Sequence, residues 1–182
     1  MNKAGYEYLL AYKINVPIYD YTIEFCRRWI SPRSRTYDQM VQAGRSGMQN
    51  LPEGYKQSSL KGYLRLTGVS RGSLEELLND FLSFARQKKI EVWKKEKVIR
   101  EIREIGEIWD VLKRSPTLPD NPNFPDLPTD PEKAVNLMIT LINQANYLLD
   151  KLIVSLEKKF VSEGGYTEKL FRKRINFRTQ NK

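Results

Sequence analysis

The chain has 182 residues with 31 Lys+Arg against 22 Asp+Glu, a net charge of +9, one cysteine and no histidine. That length suits one domain with appendages, and the positive balance favours an acidic partner such as nucleic acid or an anionic surface. The missing histidine excludes Ser-His-Asp and Cys-His catalysis, histidine bases and the usual zinc and di-iron bundle sites, and a single Cys26 excludes disulfide frameworks, so neither a metal nor a cofactor is expected.

The N-terminal MNKAGYEYLLAYKI has no charged start followed by a long apolar stretch, and no later run approaches membrane-spanning length. A soluble, cytoplasmic protein without membrane contact is expected. Val16, Tyr19, Ile23, Cys26 and Ile30 recur at helical spacing. This predicts a first helix with Asn15 as N-cap and Pro17 near the first turn, closed by Ser31-Pro32, with Cys26 as a packing residue. A second helix is predicted from near Thr36 to about Leu51. A third starts at a Ser58 or Ser59 cap and continues through Leu64, Leu74, Leu77, Leu78, Phe81 and Ala85 toward Gln87.

A fourth helical pattern runs from Trp93 through Val98, Ile102, Ile105, Trp109 and Leu112, its other face alternating charges as a solvated helix should. Proline then falls at 116, 119, 122, 125, 128 and 131. A period of three matches polyproline II, either as a stiff spacer or as a ligand for a proline-reading domain. The last long helix is predicted from the Asp130-Pro131 cap through the apolar run Ala134 to Leu156, ended by Gly164-Gly165. The tail from Tyr166 onward carries six basic residues and one acidic one. With strand signals absent, the fold class is all-α. Residues 1–160 are assigned to a four-helix bundle, 91–130 to an insertion made of the charged helix and the proline-rich connector, and 161–182 to a basic C-terminal tail.

The stretch from Asp38 to Lys56, DQMVQAGRSGMQNLPEGYK, is unlike the rest. On a helix Met40, Gly44, Gly47 and Leu51 share one face, where the glycines allow close approach of another backbone. Gln39, Ser46, Asn50 and Glu53 form a second stripe beside Arg45. A solvated face would be rich in Lys and Glu, so short amides and hydroxyls suit a buried or subunit-facing hydrogen-bond network. Nucleic-acid contact and catalysis are the alternatives. Arg71, Gly72 and Ser73 interrupt the leucine-rich third helix in a similar way, and Arg45 or Arg71 is expected to pair with Glu53, Glu76 or Asp80.

These residues carry a resemblance. Asp38-Gln39-Met40, Arg45-Ser46, Asn50, Glu53-Gly54, Ser58-Ser59 and Arg71-Gly72-Ser73-Leu74-Glu75-Glu76-Leu77 together resemble the four-helix-bundle proteins encoded by intervening sequences in bacterial large-subunit ribosomal RNA genes. That family includes the accessory variability determinant of diversity-generating retroelements. The stretch from Leu141 to Gly165 is similar to a C-terminal suffix found in one branch. The resemblance implies a four-helix bundle, a homopentameric ring and, for retroelement members, a basic surface that binds nucleic acid and a reverse transcriptase. Pro52 departs from the pattern, standing where a small helix former is expected, and predicts that the second helix ends at Leu51.

Three functions follow. The first is a non-enzymatic accessory protein that binds RNA or DNA through Arg172, Lys173, Arg174 and Arg178, interleaved with Tyr166, Phe171 and Phe177, with Arg27, Arg28, Arg33 and Arg35 as a second basic group. The second is a protein-only interaction scaffold, for instance a polymerase partner. The third is a magnesium-dependent all-α hydrolase using Glu75, Glu76 and Asp80 against Glu101, Glu104, Glu107 and Asp110. Nine residues turn a helix through about 900°, so Glu101 and Asp110 fall on opposite faces and only part of that row can meet one metal.

Overall fold

A computed structural model describes residues 3–180, and every regular element among them is helical. After a short 3-10 turn at Gly5–Tyr8 come α1 (Leu10–Trp29), α2 (Arg35–Tyr55), α3 (Leu60–Lys88), α4 (Lys95–Glu101), α5 (Glu104–Arg114), α6 (Pro131–Glu163) and α7 (Tyr166–Gln180). Three starts are set by side-chain caps. The Ser34 hydroxyl accepts from the Thr36 N–H at 3.2 Å, Ser59 from Gly62 at 3.1 Å and Asp130 from Lys133 at 2.9 Å.

Helices α1, α2, α3 and α6 pack in a cycle, each against the next, with α6 returning to α1. Their apolar faces meet in one core, which holds Ile14, Ile18, Phe25, Met40, Phe81 and Met138 fully buried. Short connections make α1, α2 and α3 successively antiparallel. Helix α6 also runs antiparallel to α3: Asn146 bonds Glu75, Asp150 bonds Arg71, and Leu156 borders the same cavity as Ser59. The long connection through α4 and α5 therefore delivers α6 in the direction a short loop would have given.

Three predicted elements differ in their bounds. Helix α1 begins at Leu10, so Asn15 is an interior residue with no exposed surface and Pro17 lies inside the helix. An interior proline costs about 3 kcal/mol, and the additional turn buries Ala11 and Ile14 to offset it. Helix α2 passes through Pro52 to Tyr55, because its last turn seats Gly54 against α3; a Cβ on Gly54 would lie 2.9 Å from the Tyr63 ring. The single helix expected over Trp93 to Leu112 is two, broken at Ile102–Arg103. The break lets α4 lie on α6 while α5 swings Ile108 and Leu112 into the core beside α1. Trp93 precedes α4 as a loop anchor, its N–H donating to Asn136 Oδ1 at 2.7 Å and its indole N–H to Glu132 at 2.5 Å. Finally, the basic tail is helical through Gln180.

Candidate nucleic-acid interface

Gly164, at φ +75°, ends α6 in a backbone conformation that glycine adopts freely, and its N–H bonds back to Phe160. Glu168 then accepts from the Gly165 N–H and Lys169 pairs with Glu163 at 2.8 Å, fixing the start of α7. No residue of α7 is buried. Arg172, Lys173, Arg174 and Arg178 all stand in solvent with no ion pair among the described residues, and Tyr166, Phe171 and Phe177 are at least half exposed. Arg174 and Arg178 share one side of the helix, and Lys169, Arg172 and Lys173 the other. On this helix of about four turns, four cations unpaired among the described residues, with aromatic rings between them, present groups for phosphate contact and for stacking on bases.

The other predicted basic residues divide. Arg33 and Arg35 are exposed at the α1–α2 junction without ion pairs among the described residues. Arg27 is held by Glu24 at 3.0 Å. Arg28 bonds Glu24 at 2.7 Å, donates to the Leu127 and Pro128 carbonyls at 2.9 and 3.1 Å, and stacks near Trp29. Its guanidinium is occupied within the chain.

Helix α2 shows its two faces as read. Met40, Gly44, Gly47 and Leu51 are buried, and the Gly47 carbonyl accepts from Asn15 Nδ2 at 3.2 Å and from Ser70 Oγ at 2.5 Å. The polar stripe is less closed than expected. Ser46 and Ser73 share a hydrogen bond of 2.8 Å and Asn50 donates to Ser46, but Gln39, Arg45, Glu53 and Glu76 are exposed and their side chains bond nothing among the described residues. Arg45 pairs with none of its three predicted partners. Arg71 instead bridges Glu75 at 2.6 Å and Asp150 at 3.0 Å, tying α3 to α6. Gln39, Ser46, Glu76 and Asp80 line an open groove of about 790 Å³ between α2 and α3. Partial burial, with Glu76 nearby, holds the Asp80 carboxyl above its ordinary range.

Sequence reasoning missed the residues that fasten the insertion. Lys13, Tyr21 and Arg28, spaced eight and seven apart on α1, each bond backbone carbonyls roughly a hundred positions later. Lys13, as a residue only 3% exposed, donates from its ammonium to the Leu112 and Ser115 carbonyls at the C-terminal end of α5, where a cation meets the helix dipole. Tyr21 donates to the Pro125 carbonyl at 2.5 Å. Burial lowers the Lys13 pKa and raises that of Tyr21. The available signal was a lysine on an otherwise apolar stretch of helix.

Among the described residues no three His, Cys, Asp or Glu side chains are placed to hold a metal ion, and no helix is long and apolar enough to cross a membrane. Cys26 is buried, its thiol pushed up to about 12 by burial and by Asp80. Compared with models of protein families, with curated proteins and with solved structures, the chain matches none.

Proposed function

We propose that the chain is a non-enzymatic, basic helical accessory protein that binds nucleic acid through α7. The observation that carries this reading is the exposure of α7 on every side, with Arg172, Lys173, Arg174 and Arg178 unpaired among the described residues and aromatic rings interleaved. A helix tied to α6 through the Lys169–Glu163 pair, and of which no residue is buried, suits an external polyanion. RNA and DNA both offer the phosphates these cations match.

The sequence resemblance supports the larger frame. In that frame α1, α2, α3 and α6 are the four-helix bundle of the intervening-sequence family, five copies form a ring, and a cytoplasmic reverse transcriptase or another ribonucleoprotein component is the protein partner. Gln39, Arg45, Glu53 and Glu76, exposed and without side-chain bonds among the described residues, leave α2 and α3 with polar groups for a neighbouring subunit to meet. Assembly would set several α7 helices on one scaffold, and weak patches so linked bind a polyanion with avidity.

The test is fluorescence anisotropy of labelled single-stranded RNA and duplex DNA, titrated with salt against the full chain and against a truncation after Gly165. The full chain should bind at low salt with log K falling linearly in log salt. The truncation should have a slope on duplex DNA shallower by roughly 3 to 4 per subunit engaged, one increment of about 0.9 for each lost phosphate contact. Absence of binding to both probes at low salt rejects the reading in favour of a protein-only scaffold.

A further inference from the structure

We infer that the groove between α4–α5 and α6 is a docking site for an acidic amphipathic helix of a partner protein. The groove has a volume of about 880 Å³. Val98, Ile102 and Ile139 form its buried floor, and Trp93, Trp109 and Tyr147 stand along its walls. Ile99, 68% exposed, and Tyr147, 61% exposed, project apolar surface that nothing among the described residues covers. The break at Ile102–Arg103 lies in the cleft, whose lining comes from α4, α5 and α6.

Charge selects the occupant. No carboxylate lines the groove, while Lys95 and Arg103 stand at its mouth. Lys95 has no ion pair among the described residues, and Arg103, with its side chain 85% exposed, reaches only Glu107 at 3.5 Å. Lys151 lies over the outer face of the Tyr147 ring at 5.3 Å and adds a third cation on that side. An apolar ligand flanked by carboxylates is therefore attracted, and a basic one such as α7 of a second copy is repelled.

Shape selects a helix. The walls are helical except at the Ile102–Arg103 break and at Trp93, whose N–H is already bonded to Asn136, so they offer no strand edge for an extended peptide to pair with, and apolar knobs at helical spacing are what such a groove accepts. Beyond the groove Val154 and Val161 follow Tyr147 along α6 at intervals of seven, separated by the exposed pairs Asp150-Lys151 and Glu157-Lys158, so the apolar floor itself ends near Leu148. Along α6 the groove runs from Ile139 to Leu148, about 14 Å at 1.5 Å per residue, which seats two to three turns of a partner helix.

This goes beyond nucleic-acid binding, and its residues are separate from α7. The test uses two synthetic tryptophan-free helical peptides with one leucine stripe, one flanked by Glu and the other by Lys. The readout is the emission of Trp93 and Trp109 in a Trp29→Phe background. The acidic peptide should give a saturable shift and bind at least about tenfold tighter than the basic one. Ile99→Asp should weaken it about tenfold or more, and Lys95→Glu with Arg103→Glu should abolish or reverse the preference. All three positions are at the surface, and circular dichroism melts check that the variants remain folded. Nucleic-acid anisotropy should be unchanged by Ile99→Asp, which separates this site from α7. Equal affinity for the two peptides, preference for the basic one, no shift with either, or indifference to Ile99→Asp overturns the proposal.

Discussion

The Asn15 carboxamide of α1 donates to the carbonyl of Gly47 in α2 at 3.2 Å, at the point where α3 also arrives through Ser70 and Leu74. Three helices thus converge on a residue with no side chain. A Cβ at Gly47 would stand 2.6 Å from one Leu74 methyl and 3.0 Å from the Leu74 Cγ, and Leu74 is itself fully buried. Gly47→Ala gains about 1 kcal/mol of helix propensity and loses about 1–3 kcal/mol to overpacking. A net loss of stability is expected by urea denaturation. Gly68→Ala and Gly72→Ala, where an added Cβ meets nothing within 4 Å, should each gain about 0.5–1 kcal/mol. The opposite ordering would mean that α2 and α3 are not in this register.

Lys89 ends α3 in the left-handed region at φ 57°, with the Ile90 N–H bonded back to the Ala85 carbonyl. A non-glycine residue there costs about 1–2 kcal/mol. Lys89→Gly should therefore raise the unfolding midpoint by about 1 kcal/mol of stability despite the loss of a charge. A lower midpoint would place the cap elsewhere.

Tyr21 governs part of the alkaline limit. Burial raises its folded pKa above the ordinary value of 10, so the unfolded chain loses this proton first as pH climbs. The stability it contributes is complete below pH 10 and is lost as pH rises from there toward the folded value. Tyr21→Phe should lower stability at pH 7 by about 1 kcal/mol through the lost bond to Pro125, and should make the decline above pH 10 less steep. Urea midpoints at pH 7, 9, 10 and 11 test both signs. Tyr63, pushed up to about 12 by burial and by Tyr55, leaves a residual slope.

Cys26 should be unreactive in the folded protein. Its thiol is fully buried and is pushed up to about 12 by burial, so almost no thiolate exists at pH 8. A thiol-disulfide colour reagent should report no free thiol in the native protein and one equivalent in denaturant. Rapid native labelling would place Cys26 outside the core.

Periodicity carried most of the fold. It located α3 and α6 because apolar residues recur at helical spacing along both, across the Arg71-Gly72-Ser73 interruption in α3, and because Ser59 and Asp130 mark where they start. It could not locate the break between α4 and α5, since Val98, Ile102, Ile105 and Trp109 keep helical spacing across it; only docking against two different helices shows that the backbone turns. It misread Asn15 as a cap because a polar residue before an apolar run resembles one, whereas Asn15 faces a carbonyl on another helix. The exposure of α7 was legible in its charge density. Arg28 was not separable from the free arginines, because what occupies it lies a hundred residues away in the chain.

The fastening of the connector to α1 has a consequence for synthesis on the ribosome. Lys13, Tyr21 and Arg28 find their carbonyls only when residues 112–128 exist. At 5–20 residues per second these follow α1 by about 5–20 s. During that interval α2 and α3, joined by a short turn, have already emerged and can pair. Helix α1 can pair with α2 through its own short connection, yet it still carries a lysine that will be buried and a core face not yet covered by α6. In the nascent chain the side of α1 that will meet α6 and the connector is thus the last part of that helix to be covered, and a chaperone has that interval to hold it.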